Sequence, residues 1–194
     1  MSQPTVNGSA LIPLPYAPNW ENGINLSYTF ETAQFVSEQS TEQRRPLQSR
    51  ERRIMEVDYL LDGTEAQQMM YDLAHGKDKV FGVPIYPETM LVSAVVASIS
   101  LRVANVLNYW NLNNYADYIF LFEPVSRLYE TVELSAVSDP YIVAEYILQE
   151  SFTANKTYVY PLFFGYLTTA PVLEPYTDQL YTVSLTFAEY LDGG

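Results

Sequence analysis

The sequence predicts a mainly β fold (β-rich α+β) with one packed helix, and three observations carry that reading. Aromatic residues are abundant, with 17 Tyr, 9 Phe and 2 Trp, and such side chains suit pleated, half-buried surfaces. The apolar stretches are short, and several alternate with polar residues in the period-two pattern of a half-buried strand. Turn formers, 12 Pro among them, punctuate the intervals. Several short strands separated by turn signals point to a barrel or sandwich.

Element by element, residues 1–23 hold prolines and turn formers without periodicity. Leu11, Ile12, Leu14, Tyr16 and Trp20 make this segment too apolar for a solvated linker, so it is expected to be an arm that docks, best on a neighbouring subunit. Ile24 to Val36 reads as a strand, with Ile24, Leu26, Tyr28 and Phe30 alternating with Asn25, Ser27, Thr29 and Glu31. Arg53 to Leu61 alternates as well, setting Met55, Val57, Tyr59 and Leu61 against Glu56 and Asp58. The polar stretch between them is far longer than a tight hairpin connection of about two to five residues, and is expected to be a functional loop.

One helix is expected over 64–75. Asp62-Gly63 makes the turn, and Thr64 with Gln67 has capping-box spacing. Ala66, Met69, Met70 and Leu73 then form one apolar stripe. Gly76 is the expected stop, followed by Lys77 and Lys79 where the helix dipole favours cations. Strand-like segments follow at 80–86, 91–103, 117–122, 128–137, 141–149, 157–164 and 180–190.

Composition narrows the chemistry. The 194 residues fit one large domain, or one domain carrying a smaller one, with ample length for a core. Cysteine is absent and His75 is the single histidine, which removes disulfides, thiolate chemistry and any zinc site needing two imidazoles. No cofactor or metal site is expected: there is no phosphate-cradling glycine loop, nucleophile elbow or calcium-loop pattern. His75 falls where a helix C-terminus favours a cation, and no partner orients it for catalysis. Glu130 and Glu133 are candidate carboxylates for a lytic glycosidase, but strand positions three apart face opposite ways. Asn155-Lys156-Thr157 matches a glycosylation sequon; with neither a basic n-region nor an apolar h-region over Met1 to Pro18, it reads as chance. No apolar run approaches the roughly 20 residues of a bilayer span, so no membrane insertion is expected.

Charge is more informative. The formal net charge is -13, from 23 acids and 10 bases. Five of those bases, Arg44, Arg45, Arg50, Arg52 and Arg53, lie within ten positions, while residues 103–194 hold eleven acids and two bases. A basic loop on an acidic body is expected to dock on an acidic patch of an identical copy, as in a head-to-tail ring. Arginine rather than lysine favours bidentate pairing with carboxylates. The acidic background disfavours binding nucleic acid.

A strand ending in Phe35-Val36, then Ser40-Thr41-Glu42-Gln43-Arg44-Arg45, then Arg52-Arg53 entering a second strand, a short helix, and Val83-Pro84-Ile85-Tyr86 resembles tail proteins of tailed bacteriophages, closest to the distal-tail type and tail-tube-like ring proteins. Glu130-Thr131-Val132, Tyr160-Pro161-Leu162 and the closing Phe187-Ala188-Glu189 extend the resemblance over most of residues 24–190. It implies a tail-tube-like sheet or sandwich with helix 64–75 over residues 24–90, a small β-barrel or sandwich module over 91–165, and a C-terminal strand in 166–194 returning to the first sheet. It also implies a non-enzymatic virion protein: a ring, hexameric or dodecameric, made in the host cytoplasm and placed in the tail. There it would join the tail tube to a hub or fibres in the baseplate, around an acidic channel through which genomic DNA passes without specific binding. Glu42, Gln43, Arg44, Arg45, Arg50, Arg52 and Arg53 would form the inter-subunit loop, and the proline-rich arm at 1–23 leaves open a neck, collar or tail-completion ring. The alternative of another class is a β-sandwich carbohydrate-binding module using Trp110 and Tyr115 as platforms.

Overall fold

A computed structural model describes residues 5–6, 9–29, 32–36, 42–46, 51–76, 79–96, 99–103 and 106–190. The chain is mainly β with one main helix. Its strands run β1 (Thr5–Val6), β2 (Ser9–Pro13), β3 (Ile24–Thr29), β4 (Thr32–Val36), β5 (Glu42–Pro46) and β6 (Arg52–Asp62) before helix α1 (Gly63–His75). After it come β7 (Val80–Pro84), β8 (Met90–Val96), β9 (Ser100–Val103), a short helix α2 (Trp110–Asn114), β10 (Tyr118–Glu123), β11 (Leu128–Ser138), β12 (Tyr141–Ala144), β13 (Tyr158–Leu167), β14 (Leu173–Pro175) and β15 (Leu180–Glu189). Among the described residues, all of these strands except β4 and β5 join one continuous sheet.

Two cores hang from that sheet, and β13 belongs to both. Its first half, Tyr158 to Pro161, pairs with β10, and Tyr158 and Val159 also pair with β8. Because β10, β11, β12, β9 and β8 pair in succession, the β8–β13 contact closes six strands into a small barrel. Register shifts at Val92/Ala94 and Leu134/Ala136 mark irregularities of the kind that let short strands turn barrel corners. Alternate residues point inward: Met90, Val92, Leu101, Val103, Ile119, Leu121, Val132, Ile142, Ala144 and Val159 fill the barrel, with Leu112 of α2 in the same core.

The second half of β13 pairs with β7 on one edge and β15 on the other. β15 runs antiparallel to β6 over nine residue pairs, and β6 in turn pairs with β3. Helix α1 covers one face of this sheet. Met55, Val57, Tyr59 and Leu61 of β6 and Val183, Leu185 and Phe187 of β15 meet Ala66, Met69 and Leu73 there, all buried. Burying a side chain of that size contributes about 1.5–3 kcal/mol, so this stripe is the main anchor of the helix.

Local chemistry differs from the sequence expectation in four places. The capping box is Asp62 with Glu65, not Thr64 with Gln67: Asp62 Oδ1 accepts from the Thr64 and Glu65 amides at 2.9 and 2.8 Å, and Glu65 reaches back to the Asp62 amide. Gly76 closes the helix at φ -98, so a left-handed turn is not why it is glycine. A Cβ there would lie 2.4 Å from the Phe81 ring, and that close approach is the reason. The long polar stretch contains a strand, since β5 pairs with β4 from Thr32↔Pro46 to Val36↔Glu42. The expected strand over 91–103 is a hairpin, β8 and β9, and α2 was not expected at all.

Candidate assembly surface

The arm docks on its own chain. β2 adds to β7 in parallel register, Leu11↔Val80 through Pro13↔Gly82, and the Leu14 amide continues the pairing to the Gly82 carbonyl at 3.0 Å. Gly82 is held to glycine by Leu11, whose Cδ1 is 3.3 Å from where a Cβ would stand. Leu11, Ile12, Leu14 and Tyr16 are buried, and the Tyr16 hydroxyl donates to Asp72 of α1 at 3.0 Å. Expected docking on a neighbouring subunit is therefore replaced by docking in cis, because β7 offers an unfilled ladder edge nearby. Trp20 alone of that set stays exposed, with its ring edge-on to Tyr86.

The arginine cluster divides. Glu42, Gln43, Arg44 and Arg45 stand on β5, opposite Val36, Phe35, Gln34 and Ala33 of β4. Arg50 lies outside the described residues. β3 pairs with β6 up to Thr29↔Arg52, and β4 and β5 form a separate two-stranded sheet from Thr32↔Pro46 to Val36↔Glu42.

Arg53 is no loop residue. It is 3 % exposed, and its guanidinium meets Glu189 (2 % exposed) at 2.6 and 2.9 Å while its backbone amide donates to the other carboxylate oxygen at 2.9 Å. Its remaining Nη1 donates to Asn111 Oδ1 at 3.0 Å. Asn111 Nδ2 donates to Glu88 at 2.8 Å, and that carboxylate also accepts the backbone amides of Asn111 and Leu112 at the start of α2. The Tyr115 ring covers the guanidinium at 4.3 Å, and Phe163 lies 5.3 Å from it. One buried cation thus ties β6, β15 and the barrel-capping α2 together, and it has nothing left for a neighbour. Arg52 is half-buried, its Nε donating to the Glu189 carbonyl at 3.3 Å. Sequence periodicity put Arg53 on the inward face with Met55 and Val57, a signal that the charge-cluster reading overrode.

The face of the sheet opposite α1 has a different character. Residues that alternate with the buried stripe are Ile54, Glu56, Asp58 and Leu60 of β6, Leu180, Thr182, Ser184, Thr186 and Ala188 of β15, Asn25, Ser27 and Thr29 of β3, and Glu174 of β14. Asn25 Nδ2 donates to Glu56 at 3.2 Å, Asp58 is opposite Ser184, and Glu174 is opposite Thr182. Glu56, Ser184 and Asn25 are exposed, and so is Leu60. Across these four strands carboxylates, hydroxyls and one amide outnumber the apolar Ile54, Leu60, Leu180 and Ala188, with Arg52 at one end as the single base among the described residues. Such a surface repels phosphate and offers it no strong donor array.

Of the remaining candidates, His75, Glu130, Glu133 and Asn155 are not brought into one site. His75 is exposed at the end of α1, its Nδ1 2.8 Å from the Tyr71 carbonyl and its ring 4.0 Å from the Tyr71 ring. Glu130 accepts the Gln149 and Glu150 amides, so it organises a loop, while Glu133 faces the other side of β11 opposite Tyr118. Asn155 sits in a turn with φ 62. Trp110 and Tyr115, named as ring platforms from the sequence, are brought together with centroids 6.4 Å apart. No helix among the described residues is long and apolar enough to cross a membrane. No protein-family model matches the chain, and no curated protein matches it.

Proposed function

We propose that the protein is a non-enzymatic structural component of a bacteriophage tail, a ring-forming distal-tail or hub adaptor that surrounds the path of the outgoing genome. The observation that carries this reading is the two-sided sheet: α1 and an apolar stripe on one face, and on the other a face where Glu56, Asp58, Glu174 and several hydroxyls outnumber the apolar Ile54, Leu60, Leu180 and Ala188. A ring built with the helices outward sets Glu56, Asp58 and Glu174 toward the bore, where they keep duplex DNA moving by denying it counter-charges. The resemblance in residues 24–190, and the barrel attached through β13 as a platform for the next component, support the same reading. With Arg53 committed internally and the arm folded in cis, contact between copies falls to the β4–β5 ribbon with Arg44 and Arg45, pairing with carboxylates of the adjacent copy.

Two variants separate the parts of this proposal. Arg44→Glu with Arg45→Glu is expected to leave the chain folded and to abolish ring assembly; undiminished assembly would remove the ribbon from the interface. Glu56→Lys with Asp58→Lys is expected to allow assembly but to give rings that retain DNA at low salt and particles that release their genome slowly. Unchanged DNA retention and release would remove the acidic bore.

A further inference from the structure

Helix α2 carries an exposed aromatic cluster outside the contacts assigned to the proposed ring. Trp110, the first residue of α2, is 59 % exposed, which is unusual for so large an apolar side chain. Tyr115 leans toward it at an interplanar angle of 59°, forming a corner rather than a stack. The Tyr115 ring is fixed from behind: its underside rests on Arg53, and its hydroxyl donates to Glu51. Tyr28 is the cross-strand partner of Arg53 and 40 % exposed. Two aromatic rings therefore meet on one surface, one of them resting on a buried ion pair, with Tyr28 on the strand beside that ion pair.

What surrounds the rings selects the ligand chemistry. Asn113 and Asn114 lie on the same turn as Trp110 and are exposed. Their amide nitrogens donate to the Val106, Tyr109 and Trp110 carbonyls, which turns amide oxygens, as acceptors, toward water. Among the described residues the cation that touches these rings is Arg53, which is 3 % exposed and paired with Glu189 and so offers an anionic ligand nothing. We propose that this corner is a binding site for a neutral saccharide. A pyranose lays its C–H face on the Trp110 indole, and its hydroxyls donate to the asparagine oxygens. An aromatic face with neighbouring acceptors is complementary to such a ligand, and a preformed platform lowers the ordering cost of binding. This proposal stands independently of the ring.

The test is an array of neutral hexose and N-acetylhexosamine oligosaccharides, with sialylated and sulfated counterparts, probed with the full chain and followed by titration of the best binder. Binding confined to neutral sugars, weakened at least tenfold by Trp110→Ala and unaffected by Trp20→Ala, is the expected result. Tyr28→Ala, also at an exposed position, is expected to weaken binding severalfold, and circular dichroism checks that each variant is folded. No neutral sugar bound at millimolar concentration, or equal binding by Trp110→Ala, would overturn the proposal. So would loss of assembly on Trp110→Ala without any sugar binding, which would make the corner a protein interface.

Discussion

The Tyr59 hydroxyl is fully buried in the sheet–helix core beside the Tyr86 hydroxyl, which itself donates to the Tyr16 carbonyl. Burial pushes its ionisation well above the usual tyrosine range, and burial does the same to Tyr86. Tyr16 is raised by burial first and then by Asp72. A raised folded-state value means the neutral form is favoured by the fold. Stability is therefore complete below pH 10 and is lost as pH climbs beyond it, at about 1.4 kcal/mol per pH unit for each such group. Thermal melts are expected to hold to about pH 10 and fall steeply above it, with a shallower fall in Tyr59→Phe. At neutral pH Tyr59→Phe should change stability by no more than about 1 kcal/mol, since the neighbouring Tyr86 hydroxyl keeps its bond to the Tyr16 carbonyl. A larger loss, by urea titration, would mean that the Tyr59 hydroxyl itself holds the core together. Arg53 behaves oppositely. Arg53→Met strands the buried Glu189 carboxylate and is expected to cost about 3–5 kcal/mol, whereas Arg53→Met with Glu189→Leu should recover most of it. Equal losses in the single and double variants would contradict the ion-pair account.

At the scale of elements, α1 and the sheet meet through positions that spacing alone makes legible. Ala66, Met69, Leu73 and the alternating β6 and β15 residues are the core the periodicity marks out. The helix end is less obvious from sequence. Gly76 marks the stop, but its cause is Phe81, which is itself buried and has little room to yield. Alanine is the better helix former by about 1 kcal/mol, yet overpacking here is expected to cost more, about 1–3 kcal/mol. A net loss of stability in Gly76→Ala checks this, and a gain would refute it. The arm shows why some of the site could not be read in advance. Composition shows that Leu11, Leu14 and Tyr16 must be buried, but the partner depends on β7 being an edge, which is a tertiary fact. Arg53 shows the converse: its inward parity is visible in the sequence, while the carboxylate that neutralises it lies 136 positions away. β4 falls inside the strand expected over Ile24 to Val36, while β5 was hidden because Glu42, Gln43, Arg44 and Arg45 are polar and leave no period-two signal.

For the molecule as a whole, the shared strand β13 makes the sheet and the barrel one framework, and the Arg53–Glu189–Asn111–Glu88 chain adds a second tie between them. Glu56, Asp58 and Glu174 stand on the open sheet face, and two of the arginines, Arg44 and Arg45, stand on the separate β4–β5 pair. In the proposed head-to-tail ring each copy offers one sign and receives the other. The central claim is the ring, and native mass spectrometry with negative-stain imaging of the purified chain reads it directly. A closed ring, hexameric or dodecameric, with a bore wide enough for duplex DNA and disassembly at high salt, is the predicted result. A chain that stays monomeric at low salt and high concentration would contradict it.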